Sequence, residues 1–170
     1  MKIIAFTGKY QSGKTTIANF IINYYTNVIK LSFAEPVKKI ATEQFGWNGE
    51  KDTKGRKLLQ LIGTDVGREY NPNIWVEKME INLKNEIYLE ECKNQDYDTI
   101  VVIDDARFDN EAELIKKWNS IIIEIIRPGY NGDNHKSEQG INKKYIDYTI
   151  DNAGSLDELK NKIITIINSL

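Results

Sequence analysis

The sequence predicts a three-layer α/β fold in which a mostly parallel sheet of about five strands is covered by helices on both faces. Short apolar runs alternate along the chain with segments whose apolar residues recur at helical spacing. Several of these runs are almost continuously apolar, which is typical of strands buried on both faces. The length of 170 residues fits one domain, and the chain has no internal repeat or linker.

The first elements are a strand, a loop and a helix in direct succession. The apolar run at 2–7 predicts the strand, a glycine-bracketed loop follows it, and a helix starts at about Thr15. A second strand is predicted at 28–33. A helix is predicted at 35–45, with Pro36 in its first turn, where the missing N–H costs nothing.

The middle of the chain is predicted to be helical. A polar, glycine-rich loop covers 46–55 and leads into a helix from about Arg56 through Arg68. Asn73 is placed to cap a further helix that lasts to about Lys93. This part of the chain therefore contributes helices rather than strands.

The second half returns to alternating strands and helices. Strands are predicted at 99–104, 120–127 and 147–150, and helices at 110 to about 118 and at 155–170. Ser155 and Glu158 have the spacing of a capping box at the start of the last helix. A polar loop at 128–144 separates the fourth strand from the fifth.

Composition and charge exclude several classes of function. Lys plus Arg number 23 and Asp plus Glu 25, giving a net charge of -2, so no nucleic-acid polymer is expected as a partner. The single cysteine, Cys92, cannot form an internal disulfide and fits a reducing compartment. The residues at 1–8 do not match the pattern of a signal peptide, and no apolar run reaches about 18 to 20 residues, so we expect a cytoplasmic protein without a membrane partner.

The loop after the first strand carries the strongest functional motif. Its sequence, GKYQSGKT at 8–15, matches the phosphate-binding pattern GxxxxGK[ST] in full. Such a loop directs backbone N–H groups inward at a helix N-terminus, where a polyphosphate is stabilised. Lys14 would bridge the β and γ phosphates, and the Thr15 hydroxyl would ligate Mg²⁺. The predicted ATP-binding residues here are Gly8, Gln11, Ser12, Gly13, Lys14, Thr15 and Thr16.

A GTPase switch is disfavoured among proteins with this loop. The guanine-reading NKxD element is missing, because the two Asn-Lys pairs read NKKY at 142–145 and NKII at 161–164. A DxxG-like sequence, DNAG at 151–154, follows the last strand, where it would not sense a γ-phosphate.

A small kinase fits better, because phosphoryl transfer depends on positioning and on cations around the transferred group. The chain has only four arginines, and Arg56, Arg107 and Arg127 are candidates, with Lys14, for catalytic roles. Arg107 and Asp105 follow a buried strand, at the edge where α/β sheets bind ligands.

Other polar residues are assigned by position. Lys38 lies near a helix start that can receive a phosphate, and Arg127 precedes the polar loop at 128–144, which we interpret as a lid. Asp104 is interpreted as a helix or turn cap. His135 is interpreted as a solvated loop residue rather than a proton-transfer catalyst.

These segments together resemble a known family. The motifs are GKYQSGKTT, FAEPVKK, LLQLIGTDVGRE, VVIDDARFDNEAE, HKSE and DNAGSLDEL, in this order. With them the chain resembles the deoxynucleoside monophosphate kinases of bacteriophages and their bacterial relatives. The resemblance implies a P-loop NTPase fold like that of nucleoside monophosphate kinases, with acceptor-binding helices at about 34–95 and a lid at about 128–144.

The activity that the resemblance implies is transfer of the γ-phosphoryl group from ATP, with Mg²⁺, to a deoxynucleoside 5'-monophosphate. It also implies an often dimeric enzyme, so a homodimer is one expected assembly, located in the host cytoplasm if the source is a phage. By matched position, the acceptor side would contain Lys38, Arg56, Lys57, Gln60, Gly63, Thr64, Trp75, Asp105 and Arg107. Arg127, Asn152 and Ala153 would belong to the ATP side, the last two near adenine.

Two alternatives stay open at the level of sequence. Another small-molecule P-loop kinase, such as a dephospho-coenzyme A kinase, has a similar acidic motif after a strand. A non-enzymatic ATP-dependent switch would share the phosphate loop. The segment between the second and third helices is short, which leaves the base preference of the acceptor pocket undecided.

Overall fold

A computed structural model describes residues 1–92, 99–130 and 135–170. These residues form five strands, six α-helices, one π-helical segment and two single-turn 3₁₀ helices. The strands are β1 (Lys2–Thr7), β2 (Val28–Leu31), β3 (Ile100–Ile103), β4 (Ser120–Ile126) and β5 (Tyr148–Asp151). The α-helices are α1 (Lys14–Tyr24), α2 (Glu35–Phe45), α3 (Thr53–Gln60), α4 (Ile74–Cys92), α5 (Asp109–Lys116) and α6 (Leu156–Asn168).

The sheet has the strand order β2-β3-β1-β4-β5. β1 pairs in parallel with both β3 and β4, so that Ala5 is level with Ile103 on one side and Ile122 on the other. β4 in turn pairs in parallel with β5. The loops that follow these strands therefore leave the sheet at one edge, which is where parallel α/β sheets bind ligands. The predicted α/β fold with a five-stranded sheet is confirmed.

The apolar pattern of the strands explains how the sheet is covered. Alternate residues of β1, Ile4 and Phe6, join one buried cluster with Ile17 of α1 and Ile163 of α6. The residues between them are also buried, as expected for strands covered on both faces. α5 packs against β4 through its buried residues, including Leu114.

The largest difference from the predicted elements lies in the middle helix. α3 begins at Thr53 rather than at about Arg56, because the Asp52 side chain caps it by accepting a hydrogen bond from the Gly55 N–H at 2.7 Å. The helix then widens into a π-helical segment at Leu61–Arg68. The π form appears where Gly63 and Gly67 interrupt the apolar pattern.

The other boundaries move by a few residues. β2 ends at Leu31 instead of residue 33, because the chain turns at 32–34 into α2, with Glu35 N–H donating to Ser32 O. The polar loop predicted as a lid contains 3₁₀ turns at Lys136–Glu138 and Lys143–Tyr145. Residues 131–134 of that lid, and residues 93–95 of the predicted acceptor region, lie outside the described residues.

The chain divides into two compact units. The first, which we call the sheet unit, comprises Met1–Lys30 and Asn94–Leu170; the second, the helical unit, is Leu31–Lys93. The helical unit nearly coincides with the predicted acceptor-binding region, while the assignment of residues 1–170 to a single domain stays a prediction. No helix in the described parts of the chain has the length and apolar character needed to cross a bilayer.

Candidate active site

The phosphate loop follows β1 and depends on two glycines. Gly8 has φ of 134°, and a Cβ there would lie 2.3 Å from the carbonyl oxygen of Ile125 in β4. Gly13 has φ of 111°, and a Cβ there would lie 2.8 Å from Asn152 Nδ2. Only glycine combines such dihedral angles with so close an approach. The motif therefore forms the tight loop that its sequence predicts.

Lys14, the first residue of α1, folds its side chain back over this loop. Its Nζ donates to Gly8 O at 2.7 Å, to Lys9 O at 2.6 Å and to Ser12 Oγ at 3.3 Å. Burial, and secondly the charge of Arg107, lower the pKa of the Lys14 ammonium from 10.5 to about 8. The ammonium is thus held by carbonyl oxygens in a poorly solvated position, where phosphate oxygens would be stronger partners.

Thr15 and Thr16 are exposed in the first turn of α1. Their position at a helix N-terminus gives them and the adjacent amides a positive electrostatic environment. An exposed hydroxyl directly after the loop lysine fits a magnesium ion whose other ligands are phosphate oxygens and water. Within the described residues, His, Cys, Asp and Glu do not form a cluster of three that could hold a metal without such phosphates.

Arg107 follows β3 and lies beside the phosphate loop. Its Nη1 donates to Ser137 O at 2.9 Å and forms an ion pair with Glu138 Oε1. The other oxygen of that carboxylate accepts the N–H of Tyr10, in the phosphate loop, at 2.8 Å. The residues after β3, after β1 and in the first 3₁₀ turn are therefore joined through one carboxylate.

The backbone around Arg107 is held by a second buried acid. Glu111 is 1% exposed, and its Oε2 accepts hydrogen bonds from the N–H groups of Arg107 at 2.6 Å and Phe108 at 3.1 Å. The carboxylate also lies in the first turn of α5, where a negative charge is stabilised by the helix.

Two residues predicted for the ATP side contact the loop. Arg127 Nη1 donates to Gln11 O at 3.4 Å, and its guanidinium lies 4.4 Å from the centre of the Tyr130 ring. Asn152 Nδ2 donates to Ser12 O at 2.9 Å. The structure thus brings Arg127 and Asn152 to the phosphate loop, while Ala153 is an exposed neighbour of Asn152.

The two acids after β3 have different surroundings. Asp104 is buried and forms an ion pair with Lys30, at 2.9 Å between Nζ and Oδ2. The interpretation of Asp104 as a cap is therefore replaced by that of an ion-pair partner. Asp105 is half-buried, and its charge acts on the Lys14 ammonium.

The remaining acceptor-side residues lie in the helical unit. Lys57 is exposed, and Arg56, Gln60 and Thr64 are half-buried along α3 and the π-helical segment. Trp75 is 3% exposed and donates its indole N–H to Gly63 O at 2.7 Å. Their roles toward a substrate stay predictions.

Within the same unit, two more contacts surround these predicted positions. Lys38 lies on α2, with its Nζ 4.0 Å from Glu35 Oε2. A Cβ at Gly67 would lie 2.7 Å from Trp75 Cζ2, so the glycine allows the indole to pack against the π-helical segment.

Comparison with known proteins identifies the family. Residues 41–163 match the family model described as "Deoxynucleotide monophosphate kinase". This chain belongs to the deoxynucleotide monophosphate kinase family. It is 32% identical to the "Putative deoxynucleotide monophosphate kinase" of Acanthamoeba polyphaga mimivirus, over 99% of this chain and 97% of that protein. The family predicted from the sequence motifs is confirmed.

Relatives from phages in this family are longer proteins. The deoxynucleotide monophosphate kinase of Enterobacteria phage T4 is 32% identical over 68% of this chain, which corresponds to 46% of the phage protein. That of Escherichia phage T5 is 31% identical over 66% of this chain and 44% of its own length. The chain therefore spans less than half of these two relatives.

A solved structure confirms the fold of this family member. The dephospho-CoA kinase from Campylobacter jejuni has a TM-score of 0.55, with 15% sequence identity, over 99% of this chain and 96% of that one. At this identity the similarity shows the P-loop kinase fold alone, and it carries no information on the substrate.

Sequence reasoning missed two acids of the site, Glu111 and Glu138, and the hydrogen bond from Asn152 to the loop. Glu111 had a recognisable signal, because it is the third residue of α5, where a carboxylate can reach back to free N–H groups. Glu138 had no such sequence signal beyond its place in the motif HKSE. His135, interpreted as solvated, is half-buried and caps the 3₁₀ turn through Nδ1, which accepts the Ser137 N–H at 3.2 Å.

Proposed function

We propose that this chain transfers the γ-phosphoryl group of ATP to a deoxynucleoside 5'-monophosphate, forming the diphosphate and ADP. The observation that carries the proposal is the convergence of Lys14, Arg107 and Arg127 on one phosphate loop. Membership of the deoxynucleotide monophosphate kinase family supports the choice of acceptor.

The triphosphate would lie in the loop between Gly8 and Thr16. Backbone N–H groups and the N-terminus of α1 would hold its oxygens, which explains why the tight loop needs glycine at positions 8 and 13. Lys14 would exchange its bonds to Gly8 O and Lys9 O for bonds to the β and γ phosphates. A phosphate close to the ammonium would raise its pKa again and keep it charged.

Magnesium would be held by the Thr15 hydroxyl together with phosphate oxygens. When bound, it neutralises negative charge on the β and γ phosphates. The exposed position of Thr15 fits this role.

The acceptor phosphate would be held by Arg107. Its guanidinium lies beside the phosphate loop and has N–H groups on Nη2 and Nε besides the two bonds from Nη1. An acceptor oxygen held there would attack the γ-phosphorus in line, without a covalent enzyme intermediate. The oxygen is already anionic near neutral pH, so the reaction needs no strong general base.

Arg56 and Arg127 would join Arg107 in spreading the charge of the transferred group. The other proposed residues act on binding. Asp105 would accept hydrogen bonds from the acceptor's sugar or base. Arg56, Lys57, Gln60 and Thr64 would contact the acceptor from α3 and the π-helical segment, with Lys38 as a further phosphate contact. Gly63 and Trp75 are proposed to shape this pocket, and Asn152 and Ala153 to lie near adenine.

The test is an assay of ADP release with a panel of acceptors. The panel contains the common deoxynucleoside monophosphates, the matching ribonucleotides and dephospho-coenzyme A. We expect turnover that requires a deoxynucleotide and is abolished in Lys14→Ala with the fold intact. Turnover with dephospho-coenzyme A and with no deoxynucleotide would show that the acceptor is not a deoxynucleotide. Slow ATP hydrolysis that no acceptor changes would indicate an ATP-dependent switch. Near-normal transfer by Lys14→Ala would refute the mechanism.

We also propose a homodimer in the cytoplasm, or in the host cytoplasm for a phage-encoded chain. The family resemblance supports the dimer, and the single exposed thiol of Cys92 fits a reducing compartment. Light scattering of the purified chain at several concentrations tests the dimer, and a mass that stays at one chain would exclude it.

A further inference from the structure

Glu138 is a buried carboxylate with no role in the proposed chemistry. It closes the 3₁₀ turn at Lys136–Glu138 and is 5% exposed. Its Oε2 accepts the Tyr10 N–H at 2.8 Å, and its Oε1 forms an ion pair with Arg107. One side chain thus joins the phosphate loop to the arginine proposed to hold the acceptor.

The turn that carries Glu138 has its own hydrogen bonds. The Glu138 N–H donates to His135 O at 2.9 Å, and the Ser137 N–H donates to His135 Nδ1 at 3.2 Å. Ser137 O accepts a second bond from Arg107 Nη1 at 2.9 Å. The backbone carbonyl of Ser137 and the carboxylate of Glu138 therefore both bind Nη1 of Arg107.

The charges make this arrangement costly to break. A buried carboxylate is stable only when paired, and here both the Arg107 guanidinium and the Lys14 ammonium act on it. The same carboxylate offsets the repulsion between these two cations, because the Arg107 charge lowers the Lys14 pKa while the Glu138 charge raises it. Both cations are thereby kept at the loop before any phosphate binds.

The geometry points to Glu138 as a positioning residue of the phosphoryl-transfer site. It holds Arg107 by Nη1 against the phosphate loop, which leaves the N–H groups on Nη2 and Nε for the acceptor phosphate. The catalytic part of this role rests on the proposed function, whereas the restraint on Arg107 does not.

Glu138→Gln is the main variant, because glutamine has the same shape and its oxygen can still accept the Tyr10 N–H. We expect kcat to fall about 10- to 100-fold, with KM for ATP within about threefold, since Lys14 and the loop amides are retained. Glu138→Asp, which keeps the charge on a shorter stem, should recover part of the loss.

Glu124→Gln is the matched control. Glu124 lines the same cavity beside the loop as Glu138 does, but its carboxylate pairs with Lys143 rather than with Arg107. Its kcat should stay within about twofold of the original value. An equal loss in both variants would mean that any change of an acid at this cavity disturbs the site, and would overturn a specific role of Glu138.

A double variant tests whether Glu138 acts through Arg107. Arg107→Gln with Glu138→Gln should be no slower than Arg107→Gln alone, within about threefold, because the second change has nothing left to position. Single-turnover transfer from labelled ATP can measure such low rates. Losses that multiply would overturn the proposal.

A second measurement does not depend on the kinase activity. Phenylglyoxal modifies accessible arginines, and mass spectrometry of the Arg107 peptide gives the rate at this position. We expect Glu138→Gln to speed up modification at least about fivefold, and Glu124→Gln to leave it unchanged. An unchanged rate of Arg107 modification in Glu138→Gln would overturn the proposal that Glu138 restrains Arg107. If the original chain phosphorylated no deoxynucleotide, the proposed function would fail while this rate still decided the role of Glu138.

Discussion

The sheet unit and the helical unit hold their predicted site residues in different ways. In the sheet unit the phosphate loop is held through its main-chain carbonyl oxygens, which accept hydrogen bonds from the side chains of Lys14, Asn152 and Arg127. In the helical unit the acceptor-side residues other than Asp105 and Arg107 lie on helices. The buried indole of Trp75 ties the π-helical segment to α4.

This difference has a chemical reason. Every ATP molecule presents the same triphosphate, which backbone N–H groups can bind without reading a side chain. Nucleotide acceptors differ in base and sugar, so their recognition needs side chains that can change without loss of the fold. Apart from Asp105 and Arg107, which are proposed to contact the acceptor from the sheet unit, we therefore expect mutations in the sheet unit to affect catalysis and ATP binding, and mutations in the helical unit to affect stability or acceptor choice.

Replacement of Lys14 by methionine should give the largest effect on catalysis. We expect kcat to fall by about 1,000-fold or more, because the Lys14 ammonium is the positive charge of the loop that stabilises the transferred phosphoryl group. Stability should rise at the same time, by on the order of 1 to 3 kcal/mol at pH 7, because a poorly solvated charge is removed. Transfer assays and urea unfolding of the same preparation measure both. A variant that is inactive and also less stable would show that Lys14 supports the fold.

Replacement of Trp75, in the helical unit, should lower stability, whereas replacement of Lys14, in the sheet unit, lowers catalysis. Trp75→Ala removes a fully packed indole and should lower the unfolding free energy by about 3 to 5 kcal/mol. Trp75→Phe keeps most of the volume but leaves Gly63 O without its donor, at a cost of about 1 to 3 kcal/mol. Urea unfolding measures both. If Trp75→Phe were as stable as the original chain but bound acceptor more weakly, the indole would be a substrate contact.

The lowered pKa of Lys14 predicts two effects of pH in the sheet unit. Between about pH 8 and 10.5 the unfolded chain binds a proton at Lys14 that the folded chain does not. Folding stability from this group therefore rises with pH across that range, by on the order of 3 kcal/mol in total. ATP affinity should fall above pH 8, because the free site loses the charge that the phosphates require.

Lys14→Met is the reference for both pH effects. The difference in unfolding free energy between the two chains should shrink as the pH rises through this range. Titration with an ATP analogue from pH 7 to 10 tests the affinity, and a parallel decline in both chains would assign the effect to another group.

The smallest effect is expected at Asn152. Asn152→Ala removes the bond from Nδ2 to Ser12 O and should raise KM for ATP about 3- to 10-fold with little change in kcat. Asn168→Ala is the control, because that side chain accepts a bond from the exposed Tyr25 hydroxyl, remote in sequence from the loop. Equal KM values in the two variants would contradict a role of Asn152 in shaping the loop.

Much of the fold followed from local patterns. The bounds of β1 and α2 agree with the prediction to the residue, because continuous apolar runs, glycines and Pro36 act within a few residues of themselves. The predicted start of α3 was about three residues too late. The glycine-rich composition favoured a loop there, whereas the Asp52 side chain caps a helix that begins at Thr53.

The sequence by itself determined the phosphate loop and the family, because both depend on residue types at short, defined spacings. Only the tertiary structure decided which polar groups meet at that loop. Glu138 and Tyr10 are far apart along the chain, as are Asn152 and Ser12, and the strand order together with the course of the loops after the strands brings them together. Parallel strands gather their carboxyl ends at one edge, and no local pattern records which distant side chains will share it.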